Sequence, residues 1–212
     1  MHIPDGFVSI PVAAVTYVAS GGSLAYAVRR TNEELGDKQV PLMGVMGAFI
    51  FAAQMLNFPV AGGTSGHLIG AALATILLGP WAGMLIMASV LVVQALIFQD
   101  GGLIALGANV FNMGVVACLV SHYAFTWFKR LLGEGPQGTG ISGFVAAWAS
   151  VVTAAIACSL ELAISGTSAL AVALPAMTLV HILIGIGEGL ITVAVLAFLT
   201  ATRRDLLELR PG

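Results

Sequence analysis

The eight basic residues of this chain fall in three places, and long stretches without Lys or Arg separate them. Arg29, Arg30 and Lys38 form the first group, Lys129 and Arg130 the second, and Arg203, Arg204 and Arg210 the third. Apolar side chains make up 58% of the sequence and charged ones 8%, where a soluble domain carries roughly 25% charge. So little charge cannot cover a water-facing surface. The fold class expected is an all-α integral membrane protein, because a helix satisfies its own backbone polar groups in lipid.

A bilayer span needs ~20 largely apolar residues. The apolar runs predict a bundle of about seven spans, at 8–28, 40–57, 65–79, 81–98, 103–128, 141–164 and 172–200. Gly79-Pro80 parts the third from the fourth and reads as a tight reversal. The last span is longer than needed, so it tilts or begins after Pro175. Seven spans put all three basic groups on one face, which the positive-inside rule makes cytoplasmic. The N-terminus is then outside and the C-terminus cytoplasmic. Nothing at the start resembles a removable signal peptide. Cys118 and Cys158 lie in apolar runs and read as packing residues. The scattered methionines, among them Met43, Met46, Met84, Met87 and Met113, read the same way. With a net charge of −2 and no basic stripe, no nucleic-acid partner is expected.

The polar residues of the apolar runs gather at one depth. His2, Asp5, Gln54, Asn57, Thr64, Ser65, His67, Gln94, Asn109, Asn112, Glu161 and His181 all map to the outer third or outer loops. Polar groups at membrane depth are costly and face the protein interior, so the pattern predicts one polar pocket open to the outside. Helix–helix hydrogen bonding is the plain alternative for the amides. Glu161 and His181 are placed to pair near the outer face.

Two segments supply metal-ligand chemistry. The chain begins Met1-His2-Ile3-Pro4-Asp5-Gly6, and a histidine at position 2 can turn its ring, its backbone nitrogen and the α-amine of Met1 toward one ion. Pro4 lacks an N–H, so the chelate cannot easily continue past Ile3. The second segment is Phe58-Pro59-Val60-Ala61-Gly62-Gly63-Thr64-Ser65-Gly66-His67-Leu68, whose glycines let the backbone bend back into the protein. It places His67 in the first turn of the third span, with Thr64 or Ser65 as N-cap. Orientation puts His67 on the same side as His2. The Met1 amine, the His2 backbone nitrogen and the two rings make four nitrogens, a set that suits Ni²⁺ when planar. Binding requires the His2 amide to lose its proton, so it should weaken at lower pH. Asp5, Ser65, Asn109, Asn112 and His181 are the candidates for orienting the ligands. Retention of Met1 is assumed.

Met1-His2-Ile3-Pro4-Asp5-Gly6-Phe7, Gly62-Gly63-Thr64-Ser65-Gly66-His67, Gly107-Ala108-Asn109-Val110-Phe111-Asn112-Met113-Gly114 and His181-Ile182-Leu183-Ile184-Gly185-Ile186-Gly187-Glu188-Gly189 together resemble the CbiM and NikM proteins. These are the substrate-specific membrane components of energy-coupling factor cobalt and nickel transporters. The resemblance runs from residue 1 to about residue 200. It implies one transmembrane domain over 1–212. Residues 1–28 form the metal-capping segment and an added span, 40–200 the core bundle, and 201–212 a cytoplasmic tail. It implies Ni²⁺ or Co²⁺ as transported substrate, with Met1, His2 and His67 as ligands and no catalytic cofactor. It also implies a transmembrane coupling protein, two cytoplasmic ATPase subunits and a small additional membrane subunit as partners, in a prokaryotic cell membrane. The residues agree with a need for partners, because no Gly-x-x-x-x-Gly-Lys-Ser/Thr phosphate loop occurs here. Small residues at Gly21, Gly22, Ser23, Gly44, Gly47 and Ala48 would let a partner helix, or a helix of this chain, come close.

Two other readings use the same residues. Gly63-Thr64-Ser65-Gly66 could present Ser65 as a protease nucleophile with His181 as its base, which requires direct hydrogen-bond contact between them. Glu188, near the midplane, could relay protons in a proton-coupled carrier, or form a structural hydrogen bond between helices. The protease reading leaves His2 and His67 unexplained, and no enzyme is expected. His122, Tyr123 and Trp127 read as interfacial residues at the cytoplasmic end of the fifth span.

Overall fold

The computed structural model describes residues 1–36, 39–203 and 206. Lys38, Arg204, Arg210 and most of the tail expected at 201–212 lie outside the described residues.

Helix α1 (Ile10–Glu34) starts with Pro11 in its first turn, where a missing N–H costs nothing. It runs past its expected end at residue 28. Arg29 and Arg30 therefore stand on the helix and pair one turn on, Arg29 Nε with Glu33 Oε1 at 3.0 Å and Arg30 Nη2 with Glu34 Oε1 at 2.5 Å. Its buried face is a stripe of small residues, Ala13, Thr16, Ser20, Ala27 and Thr31, while Val15 and Val18 are 68% and 77% exposed. This inversion of the soluble pattern is what lipid permits. Small residues bring backbones together, and branched apolar ones meet the acyl chains. The approach is close at Gly107, where a Cβ would lie 2.7 Å from the Tyr17 backbone nitrogen. Ser20 Oγ donates to the Gly107 carbonyl at 2.8 Å.

Helix α2 (Val40–Gln54) is short and leads into a two-stranded antiparallel hairpin of β1 (Phe58–Pro59) and β2 (Ser65–Gly66), with Phe58 opposite Gly66. Helix α3 (Ala71–Val93) is not one rod. Gly79, at φ 85° and ψ 164°, breaks it ahead of Pro80, and a Cβ on Gly83 would sit 2.8 Å from Thr75 Oγ1. Eight residues of unbroken helix would hold those positions ~12 Å apart, so the chain folds back at Gly79-Pro80 as expected. The first limb, residues 71–78, is buried throughout. The second limb continues through a π-turn at Gln94–Phe98. Helix α4 (Leu106–Val110), a π-turn at Phe111–Val116 and helix α5 (Ala117–Leu132) follow as one rod.

Helix α6 (Pro136–Ile164) and helix α7 (Leu170–Thr202) complete the bundle. They pack tightly, with Gly189 against the Phe144 ring and Gly185 against Trp148. Helix α7 begins at Leu170, ahead of Pro175. A proline this near a helix start forfeits only one hydrogen bond, to a carbonyl of the first turn. Among the described residues, five helical stretches are long and apolar enough to cross a membrane: Ile10–Glu34, Ala71–Phe98, Leu106–Leu132, Pro136–Ile164 and Leu170–Thr202. Met84, Met87 and Met113 are fully buried core residues.

The N-terminal segment and three connections meet at one end of the bundle and form a cap. Thr167 Oγ1 donates to the Phe7 carbonyl, Ser168 Oγ to the Gly62 carbonyl at 3.0 Å, and Asn57 Nδ2 to Asp100 Oδ2 at 2.8 Å. Helices α1 and α7 run away from this cap, so Arg29, Arg30 and Arg203 come at their far ends.

Candidate metal centre

The N-terminal segment is threaded into the cap, and Met1, His2 and Ile3 are 0%, 4% and 0% exposed. Asn109 on α4 holds it as a β-strand would. Ile3 N–H donates to Asn109 Oδ1 at 2.8 Å, and Asn109 Nδ2 donates to the Ile3 carbonyl at 3.1 Å. Gly102 N–H also donates to that carbonyl, at 2.9 Å. Gly102 must be glycine, since a Cβ there would lie 2.0 Å from Asp5 Oδ1. The Asp5 carboxylate accepts the N–H groups of Leu103, Ile104 and Ala105 at 3.1, 2.7 and 3.2 Å, which ties the segment to the approach of α4.

With the segment fixed, the nitrogens converge. The Met1 amine and the His2 backbone N–H both donate to Ser65 Oγ, each at 3.0 Å. His2 Nε2 donates to Gln94 Oε1 at 3.0 Å, so the proton sits on Nε2 and the lone pair on Nδ1. That Nδ1 is buried without a hydrogen-bond partner, 3.4 Å from Asp100 Oδ1. His67 is set the opposite way. Its Nδ1 donates to the Leu68 carbonyl at 2.7 Å, and its Nε2 is buried with no partner. The two rings stack with centroids 4.5 Å apart and planes 24° from parallel. Met1 amine, His2 nitrogen and His2 Nδ1 can close two small chelate rings, and His67 Nε2 offers a further open lone pair. Among the described residues no three His, Cys, Asp or Glu side chains gather as a conventional metal cluster; this donor set is built on main-chain and terminal nitrogens.

Burial keeps these donors unprotonated. It lowers the Met1 amine from 8.0 to about 5, and it lowers His2, with the nearby amine charge adding, to about 3. His67 is pushed well below its usual value, first by burial and then by the amine and the His2 ring. Burial raises the Asp100 carboxyl, and the amine partly offsets it. At neutral pH the amine and both rings thus hold free lone pairs, as a cation requires.

Several expectations change. His67 is not in a helical first turn, and neither Thr64 nor Ser65 caps α3. The helix starts at Ala71 after Gly70 turns left-handed at φ 80°. The orphan N–H groups of Ile69 and Gly70 go to the Glu188 carboxylate, at 2.6 and 2.9 Å. Gln54 Nε2 donates to the Ile69 carbonyl at 2.7 Å. Glu188 is thus a buried pin for the loop that carries His67. Glu161 does not pair with His181; its Oε2 accepts from Asn112 Nδ2 at 2.6 Å. Ser65 is occupied by the N-terminus, and His181 Nδ1 bonds the Met177 carbonyl at 2.7 Å. No hydrogen bond joins Ser65 to His181 among the described residues, so the geometry does not favour the protease reading. Of the orienting candidates, Ser65 touches the ligand nitrogens, and Asp5 and Asn109 fix the segment that bears them. Asn112 serves Glu161. Sequence reasoning placed Gln94 in the polar pocket without its role as the partner of His2, and did not single out Asp100. A lone glutamine in an apolar run was the only signal.

A family model for the cobalt uptake substrate-specific transmembrane region, CbiM, matches residues 2–206. A protein of Archaeoglobus fulgidus, provisionally named a fused nickel transport protein NikMN, is 43% identical over 98% of this chain and 68% of its own length. The cobalt transport protein CbiM of Sorangium cellulosum is 32% identical over 98% of this chain and 95% of its own. A crystal structure of a truncated transition metal transporter superposes with a TM-score of 0.87 at 36% identity, covering 95% of this chain and 99% of that one. The chain belongs to the CbiM family of membrane components for cobalt and nickel transport.

Proposed function

We propose that this chain is the substrate-binding component of an ATP-driven energy-coupling factor transporter and that it captures Ni²⁺. The observation that carries the reading is the convergence of four nitrogens with open or replaceable protons. These are the Met1 amine and His2 amide on one Ser65 hydroxyl, and the partnerless His2 Nδ1 and His67 Nε2. An all-nitrogen set closed by two fused chelate rings favours a planar ion, hence Ni²⁺ over Co²⁺. Co²⁺ is the second reading, favoured by the description of the matched family.

In this reading seven crossings, counting α2 and both limbs of α3, place the cap and the metal outside a prokaryotic cell membrane. The basic helix ends lie in the cytoplasm, and α1 is an addition to the core bundle. A transmembrane coupling protein, two ATPase subunits and a small further membrane subunit complete the transporter. The reading needs Met1 with a free amine. Ni²⁺ and Co²⁺ titrated into purified protein with its native N-terminus should bind tightly, and an N-terminal tag or an acetylated Met1 should abolish binding. Equal binding by the tagged protein would overturn the ligand set.

A further inference from the structure

We propose that His181 is a further ligand for the transported ion: its Nε2 replaces His67 Nε2 as the fourth nitrogen when the ion moves inward from the outer site. The inference rests on the capture reading above and adds a residue and a direction to it.

His181 repeats the local design of His67. In each ring Nδ1 donates to a main-chain carbonyl at 2.7 Å, to Leu68 from His67 and to Met177 from His181. In each, Nε2 is left buried with a lone pair and no partner. His181 is 0% exposed, so bulk water does not reach that nitrogen, and the Met177 bond leaves its lone pair unmet. An unpartnered buried donor or acceptor is uncommon and marks a function or an unseen ion.

Position supplies the direction. The His67 ring stacks on His2 with centroids 4.5 Å apart, and the loop that carries it touches α7 at Met177 and at Glu188, on either side of His181 in the helix. Met177 Sδ lies 3.5 Å from Thr64 N, level with the loop of the outer site. His181 is one helical turn, ~6 Å, farther from the cap than Met177. In the loop before His67, Thr64 Oγ1 contacts Cys158 Sγ and Met177 Sδ, at 3.8 and 3.9 Å. Helix α7 also bears Glu188, which grips Ile69 and Gly70 just beyond His67. The same helix therefore holds the first ring in place and presents the second. The step is a ligand exchange: a metal–nitrogen bond to His67 breaks as one to His181 forms. Both nitrogens donate lone pairs, so no proton or electron is transferred.

The test uses the full chain with native N-terminus in lipid nanodiscs, titrated with Ni²⁺ alone. His181→Asn keeps a donor for the Met177 carbonyl and removes Nε2. By itself it should change Ni²⁺ affinity less than about threefold and leave the melting temperature of the metal-free protein unchanged. His67→Ala should retain binding weakened about 10–100-fold, with a planar nitrogen-ligated visible spectrum. Adding His181→Asn to His67→Ala should cost at least a further roughly tenfold and change that spectrum. Equal affinity and spectrum in His67→Ala with and without His181→Asn would overturn the proposal while leaving the capture reading intact. A wild-type chain that binds no Ni²⁺ would overturn both.

Discussion

Two hydrogen bonds decide which ring nitrogens the centre offers. Gln94 Oε1 holds the proton of His2 on Nε2, and the Leu68 carbonyl holds that of His67 on Nδ1. Replacing Gln94 by Leu frees the His2 ring to take the other tautomer and to turn. Ni²⁺ affinity measured by calorimetry should fall roughly 10–100-fold with the helical circular dichroism unchanged. The pH dependence follows from the same burial. The amine, at about 5, and the His2 ring, at about 3, are already unprotonated at neutral pH, so binding should release about one proton per ion, from the His2 amide. Affinity should fall about tenfold per pH unit from 8 toward 5 and more steeply below 5, where the amine takes up a proton in competition with the metal. The sign for the metal-free segment agrees. Its undocked amine binds protons at 8.0 and its docked amine at about 5, so docking strengthens as pH rises through that window. A flat affinity between pH 5 and 8 would exclude the amide as a ligand. His2 and His67 were legible in the sequence because an ionisable residue at membrane depth is rare. The role of Gln94 was not, because it acts on a residue 92 positions away.

At the scale of elements, the loop between β2 and α3 has no strong internal structure, and α7 holds it. A carboxylate accepting two main-chain N–H groups makes charge-assisted bonds, roughly twice as strong as neutral ones. Glu188→Gln keeps the shape but can accept only through one oxygen, and its amide nitrogen would face an N–H. We expect Ni²⁺ affinity to drop by about tenfold and the metal-free melting temperature to fall, because one N–H is left unsatisfied. If binding and stability were unchanged and uptake alone lost its proton sensitivity, Glu188 would be a relay. Element existence read well from hydropathy, down to the reversal at Gly79-Pro80, where the dipeptide itself forbids a continuing helix. The start of α3 read poorly. Thr64 and Ser65 look like N-caps locally, and only the tertiary fold diverts Ser65 to the N-terminus and brings a carboxylate from 119 residues away to Ile69.

For the molecule as a whole, three connections distant in sequence close over the N-terminal segment, and the described basic residues of α1 and α7 come at the helix ends away from that cap. Orientation is testable on whole cells with a membrane-impermeant maleimide, because Cys118 and Cys158 are buried and free. Exposed positions at either end take the probes. Ala169→Cys should label from outside, and Gln137→Cys should label only after the membrane is permeabilised. The reverse pattern would invert the orientation. Composition and charge spacing by themselves determined that this chain is a helical membrane protein with a polar pocket at one end and two histidine-bearing segments on it. Those properties depend on how each residue type partitions between water, lipid and protein, which is local and additive. The tertiary structure alone decided which nitrogen of each ring is open, that Ser65 receives both N-terminal donors, and that Glu188 pins the His67 loop. Each of these is a contact between residues far apart in the chain, formed only once the helices pack.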